Sequence, residues 1–210
     1  GFIAGRGLWM TTDGGANWTE INLPDSLIDK NSLNDIRFTS GDFGIVCGDG
    51  IIYTTDGGES WHKSAGIANR SCDHSSFIDP QRGIVRNYSR IYLTSDGGRT
   101  WNLQCTIASS IYETINDIAF VKENTFIGIG EDGLIIVSRD LGQTWNRYDK
   151  SVTSAHLSGV YLTDENNAIV TGNELLLTTD GGNSWSTSDT VKGNAVCFSD
   201  KNNGTIVGTE

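Results

Sequence analysis

Proline is nearly absent from this 210-residue chain, at 2 positions, and methionine and histidine are scarce, at 1 and 3. So little proline beside 26 glycines excludes a collagen-like or proline-rich disordered chain and points instead to many tight turns. Basic residues are outnumbered, 15 against 26 acidic ones, for a formal charge of −11. That balance repels phosphate backbones and anionic lipid, so no nucleic-acid partner is expected. No apolar run approaches the ~20 residues of a membrane-spanning helix, and no membrane insertion is expected. The longest runs, such as Gly133-Leu-Ile-Ile-Val137, are strand-sized, and no helical period competes anywhere. The opening at Gly1 without a signal-like segment, and the close on Thr205-Ile-Val-Gly-Thr-Glu210, are what a mature or excised segment would show.

What is present is a repeat. One octapeptide recurs as Thr11-Thr-Asp-Gly-Gly-Ala-Asn-Trp18, Thr54-Thr-Asp-Gly-Gly-Glu-Ser-Trp61, Thr94-Ser-Asp-Gly-Gly-Arg-Thr-Trp101, Ser138-Arg-Asp-Leu-Gly-Gln-Thr-Trp145 and Thr178-Thr-Asp-Gly-Gly-Asn-Ser-Trp185. The starts lie 43, 40, 44 and 40 residues apart, and five of the six tryptophans close a copy. Around each copy four short β-rich runs can be read, strands A to D, with the octapeptide as the C–D hairpin. Between Asn34 and Lys63 they are Asn34-Asp-Ile-Arg-Phe-Thr39, Phe43-Gly-Ile-Val-Cys-Gly48, Ile51-Ile-Tyr-Thr54 and Trp61-His-Lys63. Asp49-Gly50 suits a two-residue B–C turn.

Four antiparallel strands repeating at 40–44 residues match a propeller blade, which buries its two faces only against its neighbours. The predicted fold is therefore all-β, a β-propeller with five Asp-box blades, either a closed five-bladed ring or a segment of a larger propeller. A single domain over 1–210 is expected, with units near 1–43, 44–82, 83–124, 125–166 and 167–203 and a partial strand at 204–210. The octapeptide resembles the Asp-box, or BNR repeat, of sialidases, sortilin-type receptors and the photosystem II assembly and stability factor family, and is most similar to the last. Copy one departs with Asn17 for Ser/Thr and copy four with Leu141 for the first Gly.

In each box the aspartate (Asp13, Asp56, Asp96, Asp140, Asp180) is expected to accept hydrogen bonds from turn amides, and the second glycine to supply a positive φ. The tryptophan (Trp18, Trp61, Trp101, Trp145, Trp185) is expected to anchor the hairpin by burial. One carboxylate per turn falls short of the ~6–8 oxygens calcium takes, so no metal is assigned to the boxes. Gly128-Ile-Gly-Glu-Asp-Gly133 matches G-x-G-x-x-G, but a strand rather than a helix follows it, so it reads as a B–C hairpin and not a dinucleotide site. Cys47, Cys72, Cys105 and Cys197 lack metal spacing. Cys47 and Cys197 read as buried free thiols on strands, while Cys72 and Cys105, in loops of consecutive blades, form the candidate disulfide. His62 and His156 read as isolated. Sequons at Asn17, Asn69, Asn87 and Asn203 are compatible with export.

Antiparallel order puts the A–B and C–D connections at one end of each blade and the B–C and D–A connections at the other. The boxes mark the first end. At the second stand long D–A loops and the B–C turns carrying Arg6, Asp49, Arg90, Glu131 and Asn173, the candidate partner-binding residues. The resemblance to assembly factors implies a chaperone-like scaffold holding a protein partner, but the arginine-rich patch implicated in that family is matched here only by mixed charges. A non-catalytic propeller binding a protein or glycan partner is expected, in an extracellular, periplasmic or cell-surface setting, with no cofactor. The alternative is a sialidase-like glycoside hydrolase. That family's Phe/Tyr-Arg-Ile-Pro segment is missing, the only prolines being Pro24 and Pro80, so no catalytic residue is assigned.

Overall fold

The computed structural model describes residues 1–67, 72–107, 115–122, 124–148, 152–164, 166–188, 192–200 and 203–208. They cluster into two compact units, Gly1–Gln104 and Cys105–Glu210. The described secondary structure is antiparallel sheet with a single 3-10 turn at Glu131–Gly133.

In the first unit, β1 (Phe2–Gly5), β2 (Gly7–Met10) and β3 (Thr19–Ile21) form a three-stranded sheet of B, C and D strands. Four-stranded sheets follow: β4 (Leu33–Phe38), β5 (Gly44–Gly48), β6 (Gly50–Thr54) and β7 (His62–Lys63), then β8 (His74–Phe77), β9 (Gly83–Asn87), β10 (Arg90–Thr94) and β11 (Asn102–Thr106). The second unit holds β12 (Ile115–Lys122), β13 (Thr125–Gly130), β14 (Ile135–Ser138) and β15 (Asn146–Tyr148), and then β16 (Leu157–Leu162), β17 (Ala168–Gly172), β18 (Leu175–Thr178) and β19 (Ser186–Ser188). An A–B pair, β20 (Ala195–Asp200) and β21 (Asn203–Val207), ends the described chain. Strand order within every sheet is sequential, so each A–B–C–D unit read from the sequence is one sheet.

Burial explains why these strands are apolar on both faces. Along β5, Ile45 and Cys47 belong to a cluster with Ile51, Val85, Tyr92 and Trp101, whereas Val46 between them joins Leu8, Leu33, Ile52 and Trp61. Alternate side chains thus enter different interfaces, one with the following sheet and one with the preceding sheet. In the second unit Ile127, Ile129, Ile135 and Val137 pack with Leu157, Val170 and Leu176. Each fully buried aliphatic contributes about 1.5–3 kcal/mol.

The A strands carry a polar latch between adjacent sheets. Their ladders slip at Leu33/Asp35 and at Ile115/Asp117. In the first unit Asp35 accepts hydrogen bonds from the Ser75 amide (2.9 Å) and hydroxyl (2.5 Å), and Asn34 Nδ2 donates to the Cys72 carbonyl (2.9 Å). In the second, Asp117 accepts from the Val160 amide (2.8 Å) and Asn116 Nδ2 donates to the Leu157 carbonyl (2.7 Å). An Asn-Asp pair at a bulge therefore ties one sheet to the next, a role the sequence reading did not assign.

The cysteines differ from expectation. Cys72 is joined to Cys47, with Cα atoms 5.2 Å apart, and not to Cys105. Cys47 is accordingly not a free thiol, because the Cys72 amide donates to the Gly48 carbonyl (2.8 Å) and so holds Cys72 beside the end of β5. Cys105 is free and half-buried; burial and then the Asp140 carboxylate push its thiol up to about 11. The side chain of Cys197 lies outside the described residues. Of the sequons, Asn87 has a buried side chain at 2% exposure, unsuited to modification, and Asn69 lies outside the described residues.

Candidate functional site

The box end of each sheet is built around its aspartate. In the second copy Thr54 Oγ1 donates to Asp56 Oδ1 (2.8 Å) and accepts from the Gly58 amide (2.9 Å). Asp56 Oδ1 also accepts from the Ser60 amide (2.9 Å), and Oδ2 accepts from the Ser60 hydroxyl (2.5 Å). The same arrangement recurs at Asp96, Asp140 and Asp180, and at Asp13, where Asn17 Nδ2 (2.7 Å) stands in for the missing hydroxyl. These donors hold Asp13, Asp56, Asp140 and Asp180 at about 2, the largest contributions coming from Asn17, Ser60, Thr144 and Ser184. Asp96 is lowered too: burial opposes the shift, and Thr100 and Thr94 outweigh it.

Both positions after the aspartate adopt positive φ, 72° and 94° at Gly57 and Gly58, and Leu141 is forced to 59° in the fourth copy. Burial of the tryptophans is graded, from 1% exposure at Trp101 through 8% at Trp61 to 37% at Trp18. Trp18, Trp61 and Trp145 donate to the carbonyls of Gly15, Gly58 and Gly142 at 3.1 Å, whereas the buried N–H groups of Trp101 and Trp185 have no acceptor. With their carboxylates committed to turn donors, the box ends offer little free chemistry.

At the opposite ends, described residues of the D–A loops hydrogen-bond to B–C turns. In the first unit the Gly7 amide donates to the Lys30 carbonyl (2.7 Å). Between that loop and the next B–C turn lies a cleft of about 450 Å³, lined by Asp25, Ser26, Leu27, Ile28, Asp29, Lys30, Asn31, Asp49 and Lys63. Lys30 pairs with Asp25 at 3.6 Å, and Asp29 accepts from the Asn31 amide (2.9 Å) and side chain (3.1 Å). Asp49, predicted as a contact residue, lies on the cleft wall; Arg6 is exposed at the neighbouring turn but does not line it. Arg90 sits differently from its predicted place. It pairs with Asn87 in the ladder, so Tyr88 and Ser89 form the tip. The Tyr88 amide donates to Asp73 Oδ2 (3.1 Å), and Asp73 also faces Arg86 at 3.9 Å.

In the second unit, Glu131 and Asn173 are brought together by His156. His156 Nδ1 lies 2.8 Å from Glu131 Oε2, and the Asn173 amide donates to the His156 carbonyl (2.9 Å). The bond from His156 is the main reason the Glu131 carboxyl is held below the usual range, with Asn116 adding to it. Thr153 Oγ1 donates to Glu174 Oε2 (2.6 Å) in the same loop cluster. His156 is therefore paired rather than isolated, and nothing in its sequence neighbourhood signals the pairing, since Glu131 stands 25 residues away. Tyr88 was missed too, although a lone aromatic between two β runs was the available signal. Among the described residues no group of three or more His, Cys, Asp or Glu is placed to hold a metal.

The BNR/Asp-box repeat family matches residues 52–63, which enclose the second copy. No curated protein matches the sequence. Among solved structures, one of YCF48 bound to D1 peptide superposes with a TM-score of 0.76 at 19% identity, over 99% of this chain and 72% of that one. YCF48 from Cyanidioschyzon merolae gives 0.55 at 20% identity, over 80% of this chain and 60% of that one. A GH74 enzyme of Niastella koreensis gives 0.65 at 16% identity, over 94% of this chain but 38% of the enzyme. Sheets repeating in A–B–C–D order and these likenesses make the fold a β-propeller of four-stranded blades carrying BNR/Asp-box repeats.

Proposed function

We propose that this chain is a non-catalytic propeller scaffold that holds an extended polypeptide segment against the B–C and D–A ends of its blades. The cleft around Asp49 carries this reading. Its walls hold three carboxylates, Asp25, Asp29 and Asp49, against two amines, Lys30 and Lys63. On a chain of net charge −11, that excess favours a lysine- or arginine-bearing segment. The similarity to YCF48, solved with a D1 peptide, supports a polypeptide as the kind of partner. The Cys47–Cys72 disulfide supports an extracellular, periplasmic or cell-surface location, where such bonds persist.

The rival reading, a glycoside hydrolase, draws on the GH74 likeness. A glycosidase needs one carboxyl with a raised pKa to serve as general acid. At the loop ends Glu131 is held the opposite way, below the usual range, by its bond to His156, which suits it poorly to that role. The test pairs two assays. Calorimetric titration with a lysine/arginine-bearing 12-residue peptide and its glutamate counterpart should show salt-sensitive binding of the basic one only, lost in Asp49→Lys. Incubation with aryl-glycosides, including sialosides, should show no turnover. Hydrolysis abolished by replacing a loop-end carboxylate would install the enzyme reading in its place, and oligosaccharide binding without turnover would make the partner a glycan.

A further inference from the structure

We infer that Tyr88 is the aromatic anchor of the peptide-holding surface, its ring stacking on a proline or aliphatic residue of the bound segment. This rests on the function proposed above and names a residue class the segment must carry.

Two observations on Tyr88 coincide. Its backbone is left-handed, φ 51°, and its side chain is 64% exposed, more than any other large hydrophobic among the described residues. Three of the four other B–C turns place residues suited to that backbone: Gly7 at 104°, Gly50 at 122°, and Asp132 with Gly133 at 51° and 67°. A tyrosine here stores strain, and a ring in water returns little to folding. Strain held at an exposed turn is a mark of a binding residue when the surroundings impose it. Here they do. The Tyr88 amide is fixed by Asp73, whose own amide donates to the Arg86 carbonyl (2.9 Å), and the residue before Asp73 is the disulfide-bonded Cys72.

A ring on so rigid a base loses little conformational freedom on binding, which is why tyrosine serves well as a contact residue. The turn is at the B–C end of the sheet next to the one carrying Asp49, in the same compact unit. The segment is thus expected to combine a basic residue for the cleft with a proline or aliphatic residue for the ring. The charged cleft favours such a segment over a neutral sugar, because Asp49 and Lys63 would lose water to hydroxyl groups without gaining an opposite charge.

The experiment pans a displayed library of random 12-residue peptides on the intact chain. Recovered peptides are then titrated against wild type, Tyr88→Asn, Tyr88→Phe and Asp49→Lys, with Tm measured for each. Recovered peptides should share Lys or Arg with Pro or an aliphatic residue. Tyr88→Asn should weaken them about thirtyfold, the size of a hot-spot loss, with Tm unchanged or raised because asparagine accepts the left-handed backbone. Tyr88→Phe should bind within about threefold of wild type, the phenol being secondary to the ring face. Peptides that depend on Asp49 but bind Tyr88→Asn normally would overturn the anchor and leave the scaffold function standing. A Tm several degrees lower in Tyr88→Asn would make the ring structural and overturn it as well. Recovery of no peptide above a blank surface would sink both.

Discussion

Trp101 and Trp18 close the same octapeptide, so replacing each by alanine separates what the motif does from what burial does. Trp101 is 1% exposed, packs with Ile45, Val85 and Tyr92, and meets Phe77 edge to face at a centroid distance of 6.1 Å. Its N–H has no acceptor, so Trp101→Ala removes no hydrogen bond and the loss is all packing. A buried tryptophan removes ~150–250 Å² from water, which at ~25 cal/mol per Å² is about 4–6 kcal/mol as an upper value. Substitutions of this kind cost about 3–5 kcal/mol, in agreement. Trp18 is 37% exposed and donates to the Gly15 carbonyl at 3.1 Å. Its site opens to solvent, and Trp18→Ala should cost about 1–2 kcal/mol. At about 2–4 °C per kcal/mol for a chain of this size, Trp101→Ala should lower Tm by roughly 6–20 °C, several times the effect at Trp18. Urea titration should show the same order in the midpoint with an unchanged slope. Equal losses at the two sites would refute the reasoning, because hairpin geometry and not burial would then set the energy.

Other outcomes can be checked on the same chain. Leu141→Gly should stabilise by about 1 kcal/mol, since it relieves the left-handed strain of a leucine at φ 59° at a smaller cost in unfolded-chain entropy; a lower Tm would contradict this. Acid should unfold the protein between about pH 4 and pH 2. The box carboxyls at Asp13, Asp56, Asp140 and Asp180 sit near 2 folded against an ordinary 3.8, so their stabilisation is complete above pH 4 and disappears as pH falls toward 2. A flat circular dichroism signal down to pH 2 would falsify that. Asp35→Ala should destabilise by about 1–3 kcal/mol, leaving the Ser75 amide without its acceptor; Ser75→Ala combined with it should be less than additive. Non-reducing peptide mapping should find Cys47 linked to Cys72, and Cys105 should alkylate slowly at pH 8 because its thiol sits at about 11.

The period of the octapeptide, the turn chemistry of Asp-Gly-Gly and the alternation of apolar residues determined by themselves that the chain folds into successive four-stranded sheets. These are local interactions: Thr54, Asp56, Gly58, Ser60 and Trp61 satisfy one another within eight residues. Strand positions and the end of the blade that bears loops were legible for the same reason. Contacts between distant residues were not. Cys47 finds Cys72 and not Cys105 because the Cys72 amide bonds the Gly48 carbonyl at the end of β5, and Glu131 finds His156 because the Gly133 amide bonds the carbonyl of Ala155 beside it. The Asn34–Asp35 latch closes onto Cys72 and Ser75 only once neighbouring sheets have packed. The shift of the turn tip from Arg90 to Tyr88 is a matter of register, which pairing along the whole hairpin decides. What tertiary structure alone decided was how side chains far apart in sequence meet at the loop ends, because loop closure and inter-sheet packing, not local propensity, set those distances.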